Sequence, residues 1–122
     1  MADEAFYERV YSYLTRARAP ADVRAAVDFT HGLAAWDFAQ ASRAADTLVT
    51  EFLHDSLPWI PIPALRNGTV VARIELGDLA GARRAFQDMA PETRQTDFVA
   101  QLLAAYLVFR ERGGAVPSAG AP

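Results

Sequence analysis

An all-α fold of stacked antiparallel helical hairpins, about six helices in one domain, is what this sequence predicts, on three observations. Apolar residues recur at spacings of three and four through most of the chain, and no credible strand interrupts them. Residues 74–90, IELGDLAGARRAFQDMA, break a helical pattern at Gly77-Asp78 and resume it with Leu79, Ala82, Ala85, Phe86 and Met89, as the hinge and second helix of a helix-turn-helix unit would. The same arrangement stands 41 residues earlier, where Asp37 answers Asp78, Ala39 Ala80, Ala41 Ala82, Arg43 Arg84 and Ala44 Ala85. That period lies in the range of helical-repeat arrays.

The elements follow in order. Residues 3–18 read as a capping helix with Phe6, Val10, Leu14 and Ala17 on one face and Tyr7 and Tyr11 beside it, stopped by Pro20. A second helix, from about residue 22 to 35, buries Val23, Ala26, Val27, Thr30, Leu33 and Ala34, and Pro20 and Asp22 suit its start. Trp36-Asp37 is a turn with Asp37 as N-cap. The third helix runs from Phe38 to about His54, with a stripe of Ala41, Ala44, Ala45, Leu48, Val49, Phe52 and Leu53. Three prolines among residues 57–63 exclude both a central strand and a helix interior, so an extended link is expected. A fourth helix covers about 63–76, and its Gly68 implies a close helix crossing. The fifth covers 78–89 and ends at Pro91; Thr93 or Thr96 caps a sixth over about 94–112. The second and third helices thus form one hairpin (22–54), the fourth and fifth another (63–90), between capping helices 3–18 and 94–112. The Gly, Ala, Pro and Ser tail 113–122 is expected to be disordered.

Composition narrows the function classes. The 122 residues suit one domain, 52% of them apolar, with a net charge of −3. No basic stripe is present for a phosphate backbone, so nucleic acid is not an expected partner. The chain has no cysteine, which excludes disulfides and thiolate metal sites. Its basic residues are all arginine, as in a GC-rich bacterial genome. The acidic start, without an apolar leader, and the lack of a run long enough to span a bilayer make the cytoplasm the expected location, with no membrane partner.

Residues 72–91 resemble a tetratricopeptide-type repeat through Ala72, Gly77-Asp78-Leu79, Ala82, Phe86 and Pro91. The earlier copy keeps Asp37, Phe38 and Ala41 but has Trp36 for the glycine and Ala45 for the aromatic. The first helix of each pair departs further: Phe29 and Val70 stand where the family favours a small residue, and Gly32 and Arg73 where it favours an aromatic. The 41-residue spacing is also longer than the family's usual period. The resemblance spans about residues 22–112. It implies a non-catalytic adaptor or scaffold that binds a protein or peptide, usually on a groove lined by the first helix of each pair.

Candidate sites are few. Asp28 and His31 are three apart on one helix and Glu51 and His54 on the next, but the turn between them sets the histidines out of step by about twelve residues, on the order of 18 Å. No metal site is expected. None of Ser12, Ser42, Ser56 and Ser118 sits in a nucleophile elbow, and no glycine-rich phosphate loop exists, so neither an enzyme nor a cofactor is expected. Arg66, Asn67 and Arg73 are the peptide-binding candidates, Arg66 and Arg73 being seven apart on one helical face, with pairing to Glu75 or Asp78 as the alternative. Trp59 is an interface candidate, or else folds back with Ile60 over the core. The sixth helix is apolar on every side from Phe98 to Phe109 except at Gln101. Such a helix is normally covered all round. Either the first helix folds back over it, or a homodimer forms on it through Leu103, Tyr106 and Leu107. A small-ligand domain with a pocket between hairpins is a third reading, which a closed apolar pocket would favour.

Overall fold

The structure, a computed structural model, describes residues 4–52 and 61–114. Its helices are α1 (Glu4–Arg16), α2 (Ala21–Ala34), α3 (Phe38–Thr47, continued by a π-helical turn at Leu48–Phe52), α4 (Ile62–Glu75), α5 (Leu79–Gln87), α6 (Pro91–Thr96) and α7 (Phe98–Glu111). Among the described residues there is no strand, and no helix is long and apolar enough to cross a membrane. The fold is all-α.

Four helix ends share one device. After α1, α2, α4 and α7 a residue with positive φ turns the chain, and its N–H and the next one close back onto carbonyls three and five residues earlier. The turning residues are Arg18, Trp36, Gly77 and Gly113. Asp37 and Asp78 then start the next helix alike, their Oδ1 atoms accepting from Gln40 N and Gly81 N at 3.0 Å.

Two boundaries differ from those the sequence predicts. The third helix gives way to a π turn at Leu48, where Thr47 and Thr50 donate their hydroxyls to the carbonyls of Arg43 and Asp46 one turn back. Such back-bonding competes with the helical ladder and bends it. The single C-terminal helix is instead two. Pro91 opens α6 rather than merely ending α5, since proline suits a first helical turn. Asp97, not Thr93 or Thr96, caps α7: its backbone is extended and its Oδ1 accepts from Val99 N at 3.0 Å.

The core has two parts with α4 between them. On one side Leu65 and Ala72 of α4 meet Ala25 and Phe29 of α2, Ala41, Ala44 and Ala45 of α3, and Leu48. On the other Val70 and Ile74 meet Ala82, Ala85 and Phe86 of α5, Met89, and Ala100 and Leu107 of α7. Fully burying a side chain of the size of Phe29, Leu65, Ile74 or Leu107 is worth about 1.5–3 kcal/mol each, and α4 buries such side chains on both of its faces. Small residues set the spacing. A Cβ on Gly68 would stand 2.3 Å from the Phe29 ring, and one on Gly32 would stand 2.7 Å from Ala41 N.

The first helix does not cover α7. It packs against α2, where Tyr7 stacks on His31 with ring centroids 5.0 Å apart, at the far end of the molecule from the core cluster that holds α7.

Candidate interaction surface

The three polar residues of α4 separate. Arg73 reaches across the stack, its Nη1 donating to Gly81 O at 3.0 Å and its Nη2 to Asp46 Oδ1 at 2.6 Å. Its acidic partner is on α3, not Glu75 or Asp78. Asn67 is buried on another face and donates Nδ2 to Asp97 Oδ2 at 3.1 Å. It thereby ties α4 to the α6–α7 junction. Arg66 is half-buried. The expected exposed trio for an acidic peptide is therefore not assembled: neighbours in sequence stand about 100° apart on a helix, so Asn67 turns inward as Arg66 does not.

A polar groove of about 440 Å³ runs between α1, α2 and α3, lined by Tyr11, Arg24, Asp28, Gln40, Arg43 and Thr47. It continues past Ser12 and His31. Gln40 organises it, donating Nε2 to Asp28 O at 3.0 Å and approaching His31 Nδ1 at 3.3 Å. Burial lifts the Asp28 carboxyl above its ordinary range, while His31 and Arg24 pull it down. Ser12, His31 and Asp28 thus share a groove that sequence spacing did not reveal. The group that meets His31 Nδ1 is the Gln40 amide, at 3.3 Å.

Among the described residues, the outer face of α7 carries four exposed large apolar side chains. Phe98 is 71% exposed, Leu102 55%, Phe109 54% and Val99 47%. The opposite side of the helix holds Ala100 and Leu107, both fully buried. Polar ties hold its flanks. Tyr106 donates its hydroxyl to Glu75 Oε1 at 2.6 Å and accepts from Arg110 Nη1 at 3.1 Å, and burial together with Glu75 raises the Tyr106 pKa. Arg83 on α5 donates through Nε to Glu111 Oε2 at 3.1 Å and through Nη2 to Oε1. That pairing raises the Arg83 pKa and lowers the Glu111 carboxyl below its ordinary range.

The interface residues expected from sequence fall differently on this helix. Leu107 is core, and Leu103 and Tyr106 are half-buried against α4 and α5. The open stripe is Phe98, Leu102, Ala105 and Phe109. Its 4-3-4 spacing was visible in the sequence, but an all-apolar run offers several such stripes and only the position of α4 and α5 selects one. Trp59 lies outside the described residues. Among the described residues no group of three or more acidic, histidine or cysteine side chains is placed to hold a metal ion. Compared with protein-family models, curated proteins and solved structures, the chain matches none of them.

Proposed function

We propose that this chain is a non-catalytic protein-interaction module, a tetratricopeptide-like array of two hairpins acting in the cytoplasm, whose contact surface is the outer face of α7. The observation that carries the reading is the exposure of Phe98, Leu102 and Phe109 together on one well-anchored helix. Scattered apolar side chains need no explanation, but a contiguous patch on a soluble domain marks an interface. Phenylalanines at both ends of the stripe fit the aromatic enrichment of interface cores. The polar, open groove between α1, α2 and α3 argues against the small-ligand reading, which calls for a closed apolar pocket. Neither a nucleic acid nor a membrane is part of this reading.

In-cell photo-crosslinking tests it. A photoreactive residue at position 102 should trap a protein in a defined band, and the same group at exposed Arg84 should not. Equal and diffuse labelling at both positions would sink the proposal.

A further inference from the structure

We infer that the occupant of the α7 face is a second copy of this chain, paired antiparallel across a two-fold axis; this rests on the reading of α7 as the contact surface. At 100° per residue, Phe98, Leu102, Ala105 and Phe109 fall within about 60° of arc. Their spacing of four, three and four is the seam of a coiled coil, and the buried Ala100 and Leu107 lie opposite it. The stripe reads large, medium, small, large. Phe98 and Phe109 are centred between residues 103 and 104, and so are Leu102 and Ala105. A two-fold axis at that point therefore sets Phe98 against Phe109 of the second copy and Leu102 against Ala105 of the second copy. Leucine fills the space that alanine leaves, at both places at once.

Charge favours the same direction. The stripe continues at Arg112, which is exposed. In a parallel pair Arg112 would face its own copy, and Ala105 would face Ala105 across a gap. In the antiparallel pair the two Arg112 side chains stand at opposite ends of the seam. The positions beside the seam, Val99, Gln101, Tyr106 and Val108, bring no like charges together.

The area sets the strength. Phe98, Val99, Leu102 and Phe109 leave on the order of 400 Å² of apolar surface open on each chain, about half of what a standard interface takes from each partner. The pair is therefore a weak, reversible dimer rather than an obligate one.

Sedimentation of the full chain, from micromolar to millimolar concentration, reads the result. The parent should shift from monomer to dimer with rising concentration, and Leu102→Glu should weaken that shift by about tenfold or more. Joining Ala105→Arg to Leu102→Glu should restore pairing, since each glutamate then meets an arginine; a parallel pair would set like charges together. Both sites lie outside the core, so melting curves should confirm that the variants fold. A double variant no better than Leu102→Glu would overturn the antiparallel register. A parent that stays monomeric throughout would overturn self-pairing. In that case a crosslink from position 102 to a different protein leaves the interaction reading standing, whereas no crosslink removes both.

Discussion

Trp36 and Gly77 occupy the same place in the two hairpin turns, and both are left-handed, with φ of 59° and 81°. The hydrogen bonds around them are the same, and an aspartate cap follows each. The residues that make the two hairpins tight differ. In the first, glycine lies inside the helix: Gly32 lets the α3 backbone come so near that a Cβ would meet Ala41 N at 2.7 Å and Asp37 O at 2.9 Å. In the second, the counterpart of Gly32 is Arg73, whose side chain spans the gap to Gly81 O. Glycine is spent instead at the turn and at Gly81, where the atoms nearest to a Cβ would all belong to the side chain of Asp78. The shared backbone motif thus tolerates different side chains, provided each hairpin keeps one close approach or one long tie.

The largest expected difference is between Gly32 and Gly81. Gly32→Ala should cost about 2–3 kcal/mol, because backbone must move to make room. Gly81→Ala should be neutral or stabilise by up to about 1 kcal/mol through helix propensity. Gln40, its counterpart, carries a Cβ and is capped at the same 3.0 Å. Thermal melts of the two variants decide, and equal losses would show that the hairpins are held alike. Next come the fully buried Ala41 and Ala82. Leucine at either should lower stability by about 1–3 kcal/mol from overpacking. Denaturant midpoints that fall for one variant and not the other would break the equivalence of the two copies. Exchanging the turn residues should act in opposite directions and more weakly. Trp36→Gly should gain about 0.5–1 kcal/mol by relieving a left-handed tryptophan, and Gly77→Trp should lose about as much. Trp36 is 78% exposed, so little packing is forfeited in the first exchange. The smallest effect belongs to Asp46→Asn. It breaks a partly exposed ion pair and leaves the Arg73 tie to Gly81 O in place, so it should cost under about 1 kcal/mol, with a difference from the parent that shrinks in high salt.

What could be read in advance was local. The Asp37 and Asp78 caps, the turn positions and the buried alanines each depend on residues within one hairpin, and periodicity exposes them. The partners that decide the candidate sites are distant in sequence. Arg73 finds Asp46 27 residues away, and Asn67 finds Asp97 30 away. No spacing rule reaches that far, which is why an apparent exposed trio on α4 dissolves into two structural ties. The split between α6 and α7 was obscured by chemistry, because Thr93, Thr96 and Asp97 are all competent caps and only the extended backbone at Asp97 selects one. On α7 the pattern carried too little contrast. With apolar side chains on every side, facing is set by what α4 and α5 cover, and the stripe left outside emerges only after assembly.

The position of α4 between both core clusters has a consequence for how the molecule opens. A wall common to two compartments cannot be removed from one alone. If α4 unwinds, the Phe29 side and the Ile74 side lose their floor together. The two hairpins should therefore behave as a single cooperative unit, with the α4 amides exchanging with solvent only at the full cost of global unfolding. The ends are different. No described side chain of α1 is fully buried, and α6 buries none either, so both can fray while the interior stays closed. Hydrogen exchange should accordingly grade from α4 outward, slowest at Leu65–Ile74 positions and fastest at the two rims.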